Sequence, residues 1–427
     1  MISRVFQSNP TISMQTFTLI FLAVLGLTTA LQIWLARRHI AHILAHKAFV
    51  PAAFSDKIGL EAHQKAANYT IAKTRLSFIS ILLNAAVLLA FTLGGGIEWL
   101  FQAWQGVFAS PLLEGTALIL SALILMSALE IPLNLYSTFV LEARFGFNKM
   151  TLSLFVLDLL KQAGLALAIG TPLILGVLWL MGAMGEYWWL YVWLAWMAFN
   201  LLVIALYPAF IAPLFNKFTP LADVQLKARI ETLLEKCGFH ASGLFVMDGS
   251  KRSAHGNAYF SGFGKTKRIV FFDTLLKNLS GDEIEAVLAH ELGHFKRRHI
   301  IKRMAWLFAA SLIGLRLLAY LMQADWFYSG LGVTAHTTAT ALLLFILVSP
   351  VFTFLLHPLL ARLSRRHEFE ADQYAAQTAS ATALIRALVK LYEDNASTLT
   401  PDPVHSAFYD SHPPAAIRIA RLQTAST

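Results

Sequence analysis

His290-Glu291-Leu292-Gly293-His294 places two imidazoles four residues apart, with a carboxylate beside the first. On a helix, positions i and i+4 lie one turn apart on one face, so both rings can converge on one point. That arrangement suits a zinc ion, and Glu291 is placed to reach a water at the ion's open position. Zinc lowers the pKa of such a water to about 7, and a carboxylate takes its proton as it attacks a peptide carbonyl. The expected chemistry is peptide hydrolysis with Glu291 as general base.

A hydrolytic zinc site commonly has three protein ligands and one open position. His299 does not supply the third, because it lies about 140° around the helix from His294. It goes instead with Lys296, Arg297 and Arg298 as a basic cluster at a membrane surface. Cys237, the single cysteine, excludes an internal disulfide and a multi-cysteine zinc site, and reads as a small buried apolar residue. The third ligand is expected on another helix, within Ser364-Arg365-Arg366-His367-Glu368-Phe369-Glu370-Ala371-Asp372. Glu368 and Asp372 share a face there, and Glu370 points about 200° away from Glu368. On this pattern alone His367, Glu368 and Glu370 compete with one another, and an ordinary charged helix end competes with all three.

The positioning elements follow. Ser280-Gly281-Asp282-Glu283 is a capping-box pattern that opens the helix carrying His290 and His294. Leu221–Cys237 reads as an amphipathic helix stopped by Gly238, and Leu244–Asp248 as a strand. Asn257–Phe263 and Arg268–Asp273 read as a hairpin joined through Gly264-Lys265-Thr266-Lys267.

Around these lies an apolar chain: 57% of its residues are hydrophobic and 14% charged, where soluble domains carry about 25% charged residues. Seven segments reach the roughly 20 residues needed to cross a bilayer: Thr16–Leu35, Leu76–Leu93, Thr116–Val140, Gly164–Met184, Trp188–Tyr207, Met304–Met322 and Thr338–Leu360. The first reads as a retained anchor, because positive charges follow it rather than precede it. Lys and Arg then alternate between connections, which places the N-terminus outside and 36–75, 141–163, 208–303 and 361–427 in the cytoplasm. The net charge of +9 sits mainly beside the apolar runs, so orientation in the bilayer accounts for it and a nucleic-acid partner is not expected. The expected organisation is spans one to five in 1–207, the first catalytic part in 208–303, spans six and seven in 304–360, and the remaining catalytic part in 361–427. The expected fold is mostly α, a seven-span helical membrane protein with a cytoplasmic zincin-like domain containing a small β-sheet.

The zinc motif, Glu368-Phe369-Glu370-Ala371-Asp372, the strand Asn257-Ala258-Tyr259-Phe260 and the tail Asp410-Ser411-His412-Pro413-Pro414 together resemble the type I CAAX prenyl protease family. Phe145-Gly146-Phe147-Asn148 and Pro213-Leu214-Phe215-Asn216-Lys217-Phe218 extend the resemblance over most of the chain. It implies a seven-span endopeptidase with one Zn2+ per chain and Glu368 as third ligand. It implies that Asp372 accepts the second N–H of a ligating imidazole. It implies that His412 and Arg418 line the active site and stabilise the tetrahedral oxyanion. A capped turn before a final amphipathic helix is the plainer account of those two. Asn257, Ala258 and Tyr259 would bind substrate as an added strand, with Asn257 holding a carbonyl, against the plainer account of a structural hairpin.

The expected partners are the bilayer and a peptide or protein substrate, prenylated or otherwise membrane-associated. The compartment would be the inner membrane of a bacterium or the endoplasmic reticulum of a eukaryote. Two other functions stand beside this one, the first a close competitor within the protease class and the second of another class. Clearing misfolded or stalled membrane proteins needs no prenyl specificity. A transporter or channel with a structural zinc would accommodate Arg316 inside a span, but structural zinc is usually closed by four ligands.

Overall fold

The computed structural model describes residues 13–261 and 267–425. Long uncharged runs of good helix formers satisfy their backbone groups internally, the condition for crossing lipid. Seven helices are long and apolar enough to do so: Met14–His46, Leu60–Phe91, Pro111–Glu142, Leu152–Ala183, Gly185–Phe215, His299–Leu321 and Thr338–Thr378. Each expected span falls within one of them or overlaps it closely. The ends differ, because several helices run on beyond the apolar stretch. The seventh carries the chain through Pro350 and Pro358 for 41 residues, so the Glu368 segment is a direct continuation of a membrane helix. Proline is tolerated at Pro358 because it opens a helical segment, where its missing N–H costs nothing. The third helix ends in a π-helical turn, Ser137–Glu142, and the fifth contains one, Tyr207–Ile211, just before its last turn.

Beside the spans lies a four-stranded sheet: β1 (Phe218–Pro220), β2 (Gly243–Met247), β3 (Ala258–Ser261) and β4 (Arg268–Phe272), in the order β1-β2-β4-β3. β2 and β4 run parallel, while β1 and β3 are antiparallel to their neighbours. After Arg268, Ile269-Val270-Phe271-Phe272 reads as an unbroken β-branched and aromatic run because β4 is central in the sheet. β3 is an edge strand. The residues expected to join β3 to β4 lie largely outside the described residues, since 262–266 are not among them.

One core joins distant parts of the chain. Ile230 and Leu233 of the helix Val224–Lys236, Phe271 of β4 and Leu288 of the helix Gly281–Lys296 pack with Leu384 and Ile419 from the C-terminal helices. Phe54 and Ile58, from the connection between the first two spans, complete it. Two helices approach closely at Gly293: a Cβ there would come 2.9 Å from the Ala371 Cα. Glycine inside the zinc motif thus lets the helices carrying His290 and Glu368 touch backbone to backbone.

Candidate active site

Three helices and one turn deliver the functional side chains. The helix Gly281–Lys296 starts at the expected capping box, where the Ser280 N–H donates to Glu283 Oε2 at 2.8 Å. Burial works against charge on Glu283, but Lys390, 2.7 Å away, and the Ser280 bonds hold its carboxyl below the usual range. Ten residues further on stand His290 and His294. The seventh-span helix brings Glu368 and Asp372, and the final helix, Ala415–Ala425, brings Arg418. The turn before that helix brings His412.

His290 Nε2 and His294 Nε2 lie 3.3 Å apart, and Glu368 is 3.5 Å from the first and 3.3 Å from the second. Ligands at 2.0–2.1 Å around a tetrahedral ion stand about 3.3–3.4 Å apart. Asp372 Oδ1 lies 2.9 Å from His290 Nδ1 and accepts the N–H there, so the lone pair that a metal ion or a second proton would take is the one on Nε2. His294 is likewise engaged through Nδ1, 2.9 Å from His299 Nδ1. Two imidazole lone pairs therefore face each other with a carboxylate, all largely buried. Glu368 Oε2 is a buried oxygen that no donor meets at a hydrogen-bonding angle, although His412 Nδ1 comes within 2.7 Å of it. Such convergence is repulsive unless a cation sits between the three groups. The residues fit a metal ion.

The remaining expected residues are placed as follows. Glu291 is half-buried and lines, with His290, a cavity of about 1130 Å³. The wall opposite comes from the first two spans, through Gln32 and Thr74. His412 is exposed towards this cavity, and Arg418 is buried in its wall. The Arg418 guanidinium donates twice to Asp372, at 2.8 and 2.6 Å, and its third nitrogen lies 3.8 Å from Glu368 Oε2. Asn257 and Ala258 line the cavity, so the β3 edge runs beside the metal-binding residues. The Tyr259 ring turns to the other side of the sheet, where its hydroxyl lies 4.0 Å from Met247 Sδ.

One expectation is corrected. His299 is not in an exposed basic cluster: it is 2% exposed. The zinc-motif helix ends at Lys296, and Arg298 turns the chain with φ 56°, so angles counted along one continuous helix do not apply to His299. His367 stacks on His299 at 4.0 Å, and Glu370 lies 3.1 Å from its Nε2, so neither of these two rivals of Glu368 reaches the imidazole pair. Reading residues singly also missed a clamp behind β3. Asn395 Oδ1 accepts the Gly256 N–H at 3.1 Å, and the Tyr69 hydroxyl donates to Glu142 beside His255. Those partners come from four separate stretches, and no local signal links them.

Comparison with known proteins decides the family. A family described as "CAAX prenyl protease N-terminal, five membrane helices" matches residues 39–217, and peptidase family M48 matches 220–426. The "CAAX prenyl protease 1" of Saccharomyces cerevisiae is 35% identical, over 88% of this chain and 89% of its own length. The chain belongs to the type I CAAX prenyl protease family. The Arabidopsis thaliana "CAAX prenyl protease 1 homolog" is 34% identical, over 87% of this chain and 90% of its own. The crystal structure of S. mikatae Ste24p superposes with a TM-score of 0.89 at 32% identity, covering 95% of this chain and 99% of that one. The protease is thus a multi-pass, membrane-embedded metalloendopeptidase acting on peptides or proteins, and the transporter reading is set aside.

Proposed function

We propose that the protease uses zinc held by His290, His294 and Glu368, and cleaves at the cytoplasmic membrane face. The observation that carries this is the meeting of two Nε2 lone pairs and one carboxylate within 3.5 Å, with Glu291 on the cavity side. When bound, zinc supplies Lewis acidity to the scissile carbonyl and to the attacking water. Glu291 accepts that water's proton and returns it to the leaving amine. Asp372 fixes the tautomer of His290, and Arg418 acts through Asp372 by holding it in place. His412, exposed on its turn, donates to the developing oxyanion. Substrate lies along the edge strand β3 beside Asn257 and Ala258, where it takes the place of the Asn257 side chain that accepts the Ala258 N–H at 2.8 Å, and its backbone bonds give affinity without demanding one sequence. Tyr259 contributes main chain only.

The two catalytic parts, 208–303 and 361–427, act as one domain on the side of the membrane where Lys and Arg accumulate, with the N-terminus opposite. The compartment on this reading is the inner membrane of a bacterium or the endoplasmic reticulum of a eukaryote. The relatives' names point to prenylated C-terminal peptides as substrates. A cavity bounded by spans as well as by the catalytic residues leaves room for a peptide with an attached apolar chain. The deciding experiment purifies the protein in detergent, measures its zinc content, and compares a farnesylated CAAX peptide with its unprenylated form. Preferential cleavage of the farnesylated peptide is expected. Equal cleavage would favour clearance of membrane proteins without prenyl specificity.

A further inference from the structure

We propose that His299 is a positioning residue for the metal ligand His294, and that Glu370 acts on the metal site through it. This rests on the reading of His290, His294 and Glu368 as the ligands.

The proton count forces the assignment. His294 presents Nε2 to His290 and Glu368, so its proton belongs on Nδ1. That nitrogen lies 2.9 Å from His299 Nδ1, and two nitrogens so close share one proton. His299 Nδ1 is therefore the acceptor, and the proton of His299 sits on Nε2. There it meets Glu370 Oε2 at 3.1 Å. Each link dictates the next, and the chain ends on a carboxylate.

The surroundings hold this chain in place. His299 is 2% exposed, and the His367 ring lies over it at 4.0 Å with 11° between planes. Arg366 fixes the other oxygen of Glu370 at 3.2 Å. The two ligating histidines are thus oriented differently. His290 meets the Asp372 carboxylate directly, whereas His294 meets the Glu370 carboxylate at one remove, through a neutral ring. The inserted ring has a geometric cause. His294 sits near the end of its helix, beside the corner at Arg298, so the next helix brings His299 to its Nδ1 while the seventh-span helix meets its Nε2 through Glu368.

The test measures zinc affinity by competition with a chelator, and the visible spectrum after Co2+ substitution, on full-length protein in detergent. His299→Phe keeps the ring and removes both nitrogens; it should weaken zinc binding about 10- to 100-fold and alter the Co2+ spectrum. His299→Asn returns an acceptor near the position of Nδ1 and should recover most of that loss. Glu370→Ala, at a partly exposed position, should weaken binding in the same direction, and it decides the matter if His299→Phe does not fold. Wild-type affinity in Glu370→Ala, or equal losses in His299→Asn and His299→Phe, would overturn the proposal. His290→Ala separates the two readings. If it loses zinc while the His299 and Glu370 variants keep it, only the relay fails; if it keeps zinc, the ligand assignment itself fails.

Discussion

Arg418 grips Asp372 with two hydrogen bonds, Nε to Oδ2 at 2.8 Å and Nη2 to Oδ1 at 2.6 Å, and both side chains are buried. Asp372 Oδ1 also faces His290 Nδ1, so the helix Ala415–Ala425 is tied to the His290 imidazole through one carboxylate. Removing one partner of such a pair leaves an uncompensated buried charge, at roughly 3–5 kcal/mol. Arg418→Met should therefore lower the thermal unfolding temperature in detergent and reduce retained metal. A double-mutant cycle with Asp372→Asn should show less than additive loss; strict additivity would mean that the two residues are not coupled.

Glu291 makes no contribution to the ligand set, so its substitution separates chemistry from metal binding. Glu291→Gln should keep metal content and unfolding temperature near wild type and slow peptide cleavage by about 10²- to 10⁴-fold, the usual worth of a positioned general base. Metal analysis beside a cleavage assay checks this. Retained activity would remove Glu291 from the mechanism.

Metal binding should depend on pH in a stated direction. Burial disfavours charge on His290, but its bonds to Asp372 and Glu368 outweigh that and push the imidazole up to about 9 when no ion is present. A ligating imidazole must be neutral, so metal and proton compete. Apparent affinity should fall about tenfold per pH unit as pH drops below 9, and binding at pH 7 should release about one proton. Calorimetry of metal rebinding, in buffers of different ionisation enthalpy, measures that release. No buffer dependence would contradict it.

Gly293→Ala tests the helix contact that assembles the site. The added methyl meets the Ala371 backbone, which cannot yield as a flexible side chain would. Overpacking of this kind costs about 1–3 kcal/mol. The shift should also move Glu368 away from His290 and His294. Lower metal affinity together with lower thermal stability is expected. A stability loss with unchanged metal affinity would show that this contact does not set the ligand geometry.

Much of the site was written in local patterns. The i, i+4 imidazoles, the capping box ahead of them and the seven apolar runs each follow from a short-range periodicity, which one helix or one span obeys without help from the rest. The choice among His367, Glu368 and Glu370 needed the resemblance, because three ionisable residues on one helix differ only in which neighbour each meets. The sequence could not anticipate His299 at all. The helix along which its angle is counted ends at Lys296, and the left-handed residue Arg298 turns it into the interior.

What the sequence by itself determined was the chemistry available: which side chains can ligate, which can move a proton, and which stretches must be in lipid. Tertiary structure decided which of them meet. Asp372 with Arg418, His294 with His299, and Gly256 with Asn395 are separated by 46, 5 and 139 positions. Only two of the three are even distant in the chain, yet all three escape prediction, because hydrogen bonds depend on placement to within a few tenths of an ångström. That placement is set by how helices from both ends of the chain pack around one shared core.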